Sequence, residues 1–271
     1  MKKLLIILLC LPMIGFGQQT YVPDDNFEQE LINLGYDNIL DDYVTTSFIN
    51  SITDLNVSGL GISDLTGIED FTSLWSLEIG NNQITAIDIS NNTNLGYLIC
   101  NQNQLTSIDI SNNPFIHSLG ISDNYITNLD VSNLNNLQTF NCTNNQIVSL
   151  DLSNNTDLYT LLCSSNQLTS LDVKNGNNTQ IDHFNAGDNP NLECISVDDP
   201  VWSATFWGGN SASTYYYWTD CPPPTSIEEQ TTNKELLKVT DLLGRETKGT
   251  KNEVLFYIYD DGTVEKRIVI E

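Results

Sequence analysis

Basic side chains are nearly missing from this sequence. Lys and Arg number 10 against 35 Asp and Glu, a formal charge of −25, and the only basic residue between Gln18 and Asn233 is Lys174. A surface without a Lys/Arg stripe cannot neutralise a phosphate backbone, so nucleic acid is set aside as a partner. Attraction to an anionic membrane surface fails for the same reason. Histidine is almost as scarce, with two residues, which narrows the scope for metal and acid–base chemistry. Neither His117 nor His183 has a Ser, Cys or acid at the spacing of a catalytic motif, and GxSxG, Walker, HExxH and CxxC patterns are missing. Apolar residues, by contrast, make up 39% of the chain and include 9 Phe, 11 Tyr and 4 Trp, enough for a core and too many for wholesale disorder.

The first 17 residues read as an address. Met1-Lys2-Lys3 is positive, Leu4 to Phe16 is a short apolar run, and Gly15 and Gly17 are the small residues before a cut at Gln18. This is the pattern of a secretory signal peptide, and the run is too short for an ordinary membrane span. No stable membrane insertion is expected once it is removed. Cys10 follows Leu9 and precedes more apolar residues, which argues against lipidation. Cleavage leaves 8 basic and 35 acidic residues, 8 − 35 = −27. Export implies an oxidising compartment. The five remaining cysteines are Cys100, Cys142, Cys163, Cys194 and Cys221, so at least one is unpaired or pairs between chains.

Self-similarity dominates the middle of the chain. Leu77-Glu-Ile-Gly-Asn-Asn82-Gln-Ile84 recurs, in kind, from Leu98, Leu119, Phe140 and Leu161, each start 21 residues after the last. An opening copy begins at Leu55 and a degenerate one at Phe184. Each repeat has a second half, such as Ile108-Asp-Ile110-Ser-Asn, and a closing apolar residue: Leu95, Ile116, Leu137 or Leu158. Alternating apolar residues belong on one face of a short strand, and one coil cannot bury that face alone. Stacked coils bury it, and their strands then form a parallel sheet with a spacing of about 4.8 Å. Asn82, Asn103, Asn124, Asn145, Asn166 and Asn189 line up behind the sheet, where an inward Asn must hydrogen-bond to the turning backbone. An asparagine ladder is expected. The second half reads as an extended segment closed by Ser-Asn-Asn, without room for a long helix, so the solenoid is expected to curve gently.

Leu95-x-x-Leu98-x-Cys100-x-x-Asn103-x-Leu105 resembles the LxxLxLxxNxL pattern of leucine-rich repeats. The 21-residue length and the inward cysteines look most like the cysteine-ladder internalins of bacterial surfaces. The resemblance covers roughly residues 55–192 and implies a mainly β, parallel-sheet solenoid that binds rather than catalyses.

Both solenoid ends need apolar cover. Residues 18–54 read as an N-terminal cap: Asp24, Asp25 or Asn26 caps a helix, Phe27, Leu31, Ile32 and Leu34 form its apolar face, and Gly35 ends it. The repeats occupy 55–193. Residues 194–221 read as a C-terminal cap rich in aromatics and closed by a Cys194–Cys221 disulfide worth about 3–4 kcal/mol by loop closure. The alternative for Trp202, Trp207 and Trp218 is a sugar-stacking platform. Residues 222–233, beginning Pro-Pro-Pro, read as a linker. In 234–271, Leu236 to Arg245 is followed by Val254 to Glu271, which reads as a hairpin turning at Asp261-Gly262. Thr240-Asp-Leu-Leu-Gly-Arg245, Phe256-Tyr-Ile-Tyr-Asp-Asp-Gly262 and Lys266-Arg-Ile-Val-Ile resemble the type A C-terminal sorting domain of type IX secretion cargo. That resemblance implies passage across an outer membrane by the type IX machinery.

Cys100, Cys142 and Cys163 share an inward column; lacking convergent partners, they read as buried thiols rather than metal ligands. Asp88, Asp109, Asp130, Asp151 and Asp172 form an outward acidic file. It is either a weak Ca²⁺ candidate or a set of carboxylates each bonded to its own turn. The outward strand residues Glu78, Ile99, Gly120, Asn141, Leu162 and Asn185, flanked by Trp75, Tyr97, His117, Tyr159 and His183, suggest a contact surface. The sequence therefore reads as an exported surface module for protein binding or adhesion, with no cofactor and no enzymatic activity expected. The rival readings are a glycan-binding accessory module of a surface polysaccharide system and a structural surface component.

Overall fold

A computed structural model describes residues 17–207 and 215–221, three strands within 236–268, and Thr247. The chain divides into two compact units, Met1–Pro224 and Thr225–Glu271. Residues 1–16 of the signal peptide, the linker 222–233 and the turn at Asp261-Gly262 lie outside the described residues.

The first unit opens with β1 (Gln19–Tyr21), α1 (Asp25–Asn33), β2 (Tyr43–Thr45) and α2 (Thr46–Ile49). The coils follow, with β3 (Asp54–Asn56), β4 (Ser76–Glu78), β5 (Tyr97–Ile99), β6 (Ser118–Gly120), β7 (Thr139–Asn141), β8 (Ser149–Asp151), β9 (Thr160–Leu162), β10 (Ser170–Asp172) and β11 (His183–Asn185). The unit closes with β12 (Cys194–Ser196), α3 (Pro200–Phe206) and β13 (Tyr216–Trp218). Seven strands form one parallel sheet in the order β11-β9-β7-β6-β5-β4-β3. Its register stacks Leu55, Leu77, Leu98, Leu119, Phe140, Leu161 and Phe184 in one inward column. The second halves of the coils are extended but form ladders only late, as a four-stranded parallel sheet β13-β12-β10-β8. The architecture is a mainly parallel, leucine-rich-repeat-like β-solenoid with few helices.

Each ladder asparagine works in both directions. Asn103 Oδ1 accepts the Ile84 N–H (3.1 Å), while its Nδ2 donates to Ile79 O of the previous coil (3.0 Å) and Cys100 O of its own (3.2 Å). Asn124, Asn145, Asn166 and Asn189 repeat this on Leu105, Ile126, Ile147 and Leu168; Asn82 serves Leu60 and Ile62. The residue before each one, Asn81, Gln102, Asp123, Asn144, Ser165 or Asp188, is left-handed with φ of 54–57°. That turn aims the asparagine inward.

A second buried file runs through Asn92, Asn113 and Asn155, which the sequence reading took for turn residues only. Asn113 Nδ2 donates to Ile89 O (3.0 Å) and Asn92 O (2.9 Å), tying consecutive coils together. Leu134 interrupts this file and is fully buried.

The N-terminal cap departs from expectation on one helix face. Asp24 is the N-cap, and Phe27 and Leu31 are buried, with Phe27 stacked on Phe71 at 6.2 Å. Ile32 is half-buried and Leu34 exposed; the third buried position is Glu28. The helix ends at Leu34, so that residue is already turning outward. Asp24 Oδ2 also accepts from Ser63 N (2.8 Å), Ser63 Oγ (2.9 Å) and Asp64 N (3.2 Å). Burial raises the Asp24 pKa, but the hydrogen bonds from Ser63, Phe27 and Asp64 outweigh it and hold the carboxyl below its ordinary value.

At the other end Cys194 and Cys221 are bonded, and Trp207 is buried. Trp207 stacks on Phe184 at 4.2 Å, and its Nε1 donates to Ile181 O (3.0 Å). It therefore covers the last coil and cannot serve in a sugar platform. Lys174 Nζ contacts Asp220 Oδ1 (2.6 Å) and donates to Thr219 O (3.0 Å), clamping the closing segment. The second unit is described as an antiparallel sheet of β14 (Leu236–Thr240), β15 (Val254–Tyr259) and β16 (Val264–Ile268).

The two asparagine files predict unequal costs. Asn103→Leu strands the buried Ile84 N–H and removes bonds to three carbonyls that each keep another donor, and is expected to cost about 2–3 kcal/mol. Asn113→Leu repeats what Leu134 already does and removes a buried Oδ1 that has no partner, so its cost is expected near 1 kcal/mol. Urea unfolding of the two variants checks the order. Burial also pushes the Cys100 and Cys163 thiols up to about 12 and Cys142 well above its ordinary value. All three stay neutral at pH 7; in protein without residues 1–17, and so without Cys10, the native form is expected to resist iodoacetamide and the denatured form to gain three labels by mass spectrometry.

Candidate functional site

The outward face of the seven-stranded sheet is built by the register. Pairing places Glu78, Ile99, Gly120, Asn141, Leu162 and Asn185 in one file. Tyr97 and His183 stand in the file that begins their strands, with Ser76, Ser118, Thr139 and Thr160. Trp75, His117 and Tyr159 precede their strands and flank the face. The polar members are tied locally: Asn56 Nδ2 donates to Glu78 Oε2 (3.3 Å), and Asn141 Oδ1 accepts the Thr143 N–H (3.1 Å).

One expectation fails on this face. Gly120 is buried rather than solvent-facing. Ile99 lies across it: a Cβ on Gly120 would sit 2.7 Å from Ile99 Cδ1 and 3.1 Å from Asn101 Oδ1. A missing side chain thus becomes a shelf for its neighbour, with Asn101 Oδ1 held by the Ser122 N–H at 2.8 Å. Beside this shelf lies an open depression of about 440 Å³, bounded by Gly80, Ile99, Asn101 and Ser122 among others.

Gly96 does the same for two aromatic rings. It stands between Trp75 and His117 in the stack, and a Cβ there would meet Trp75 Nε1 at 2.6 Å and His117 Cε1 at 3.1 Å. The Trp75 and His117 rings therefore meet across the intervening coil, centroids 5.5 Å apart. Two coils further on, Tyr159 meets His183 edge-on at 5.7 Å, and the Tyr159 hydroxyl donates to Asp182 Oδ2 (2.8 Å). That hydrogen bond holds the phenol above its ordinary pKa. His183 Nε2 lies 3.7 Å from the same carboxylate oxygen. Trp75 and Tyr159 each remain 49% exposed, so both pairs keep a free aromatic surface. The sequence reading missed Gly96 and Asp182. A glycine between two aromatics at the repeat interval was the available signal for Gly96; Asp182 falls in the irregular coil and gave none.

The acidic file on the opposite side is occupied with its own turns. Asp88, Asp109, Asp130, Asp151 and Asp172 each offer Oδ1 to the N–H two residues on, at 2.8–3.0 Å. Side-chain and backbone bonds from Ser90 lower the Asp88 pKa; Ser111 and Ser132 do the same for Asp109 and Asp130. Asp172 is raised, chiefly by burial. Among the described residues, metal-ligating side chains converge elsewhere, at Glu28, Asp37 and Asp41 of the N-terminal cap. The sequence reading assigned no metal there.

No family model matches the chain. Over 73 residues it is 34% identical to Internalin J of Listeria monocytogenes serotype 4b (strain F2365), an alignment covering 27% of this chain and 8% of that protein. Two solved structures from Listeria monocytogenes are similar in part. One is the functional domain of InlJ, described as including a cysteine ladder, with 27% identity, a TM-score of 0.40, and coverage of 67% of this chain and 52% of that one. The other is an internalin (inlF) of strain 4b F2365, with 21% identity, a TM-score of 0.49, and coverage of 73% and 68%.

With two histidines in the chain, ring contacts on this face are readable by NMR. Gly96→Ala is expected to part Trp75 from His117. The His117 ring-proton signals then shift as the indole ring current is lost, while those of His183 stay in place.

Proposed function

We propose that this chain is an exported surface protein whose parallel sheet face binds another protein, without catalysis. The observation that carries the reading is the row of apolar and aromatic side chains on that face: Ile99 laid over Gly120, Leu162, and the two half-exposed pairs Trp75/His117 and Tyr159/His183. Rigid aromatics on a repeating scaffold give contact area at low entropic cost, which is what hot spots require. Glu78, Asn141 and Tyr97 supply polar complementarity around them. The deficit of basic residues favours a partner whose contacting surface is neutral or basic. The sequence likeness to Internalin J supports a surface role. Delivery would use residues 1–17 as the signal peptide and 234–271 as a type IX sorting domain, joined through the linker 222–233 to the capped solenoid of 18–221. The antiparallel sheet of the tail and its three sequence matches support that route.

A glycan-binding accessory role has one specific support, the half-exposed indole of Trp75, since sugars stack on such faces. The test is a screen of the purified chain on protein and glycan arrays. For a protein partner found there, Ile99→Asp with Leu162→Asp is expected to weaken binding about 30-fold or more, the loss of a hot-spot pair, with the unfolding midpoint little changed. Unchanged affinity in the double variant would place the site elsewhere. Competition by soluble sugar, with binding lost in Trp75→Ala, would support the glycan reading instead.

A further inference from the structure

The N-terminal cap holds a group of acids that the sheet-face reading does not use. Glu28 is fully buried, one turn into α1. Its Oε1 accepts the N–H groups of Asp41 (2.9 Å) and Tyr43 (3.2 Å), which folds the loop after the helix back over it. Its Oε2 is buried and has no partner; neither has the buried Oδ2 of Asp37 in that loop. One oxygen each from Glu28, Asp37 and Asp41 lie within 4.8 Å of one another. Asp41 is exposed and opens the group to solvent.

Three carboxylates so placed repel, and a buried carboxylate oxygen without a partner loses its hydration with nothing in return. An organic counter-ion is not at hand. Lys174 is the only basic residue from Gln18 to Asn233, and it is bound to Asp220. Among the described side chains of this unit no other Lys or Arg can neutralise the group, which leaves a cation from solution as the counter-ion. The donors are all oxygen, which selects a hard ion. Ca²⁺ accepts irregular sets of carboxylate oxygens, whereas Mg²⁺ gives up its water reluctantly and demands near-ideal octahedral geometry, so a fixed cluster of protein carboxylates favours Ca²⁺. Ca²⁺ takes six to eight ligands, and the open Asp41 side leaves room for water to supply the rest.

We propose that Glu28, Asp37 and Asp41 form a calcium site that fastens the loop 34–42 to the cap helix. Calcium then acts as the counter-ion that the sequence lacks and stiffens the cover over the first coil.

The experiment is thermal unfolding and isothermal titration of the purified chain with calcium chloride, magnesium chloride or chelator alone. One calcium per chain is expected to bind with a dissociation constant of about 10⁻⁴–10⁻³ M, the range of extracellular modules. In 10 mM calcium the midpoint is expected to rise by roughly 3–8 °C over chelator, with little gain in magnesium. Asp37→Asn and, as the exposed alternative, Asp41→Asn are each expected to abolish the gain while leaving the midpoint in chelator unchanged or higher, since a repelling charge is removed. Asp109→Asn with Asp130→Asn, in the outward file, is expected to keep the full gain. Absence of calcium binding, an equal response to magnesium, or a gain that survives Asp37→Asn and Asp41→Asn would overturn the site. So would loss of the gain in the outward-file variant.

Discussion

Everything in the solenoid depends on satisfying backbone groups that turn inward. A coil of 21 residues must reverse direction twice, and each reversal aims N–H and C=O groups at a dry interior. A buried asparagine is the compact answer because one amide supplies an acceptor and two donors. Asn103 spends all of these on two adjacent coils, so the same side chain closes its own turn and fixes the next coil in register. The inward leucines then stack as a consequence. Register, core and sheet face descend from one hydrogen-bonding requirement repeated down the chain.

That requirement made the fold legible. Strict spacing of the Leu and Asn positions specified the strands, the parallel sheet and the side of the sheet on which each residue would lie. The cysteines joined their column because their positions alternate with leucine. The disulfide between Cys194 and Cys221 was legible because export and an aromatic segment framed the pair. What escaped were features set by contacts between coils or within the cap. Gly120 alternates like an exposed residue, yet the side chain of the coil before it lies over it. Asn113 stands in a turn tripeptide, and its role appears only once the neighbouring coil supplies carbonyls. Glu28 reads as an ordinary acid in a first helical turn, until backbone thirteen and fifteen residues away folds over it.

The sheet face shows how a repeat acquires individuality. The inward positions tolerate little beyond Leu, Ile, Phe, Val, Ala or Cys, while the outward ones carry Glu, Ile, Gly, Asn and Leu in succession. Glycine plays an uncommon part here. At Gly96 and Gly120 the absence of a side chain, rather than a backbone angle, is what counts, because it lets residues from neighbouring coils reach over the gap. Contact surface is thus shaped by subtraction as much as by addition, on a scaffold whose spacing never changes.

The constancy of the coil also bears on how such a chain changes over generations. Because Asn103 through Asn166 make matching bonds to the coil before, a coil inserted or deleted whole keeps the same asparagine-ladder partners. The N-terminal cap bonds to the first coil at Ser63 and Asp64, and the C-terminal cap meets the last two coils at Lys174, Asn178 and Phe184. Unequal recombination between the coding segments of similar coils would lengthen or shorten the molecule while leaving the asparagine ladder continuous. Such events would slide one set of outward residues past another, making the reach and pattern of the exposed face the quickest properties of this architecture to diversify.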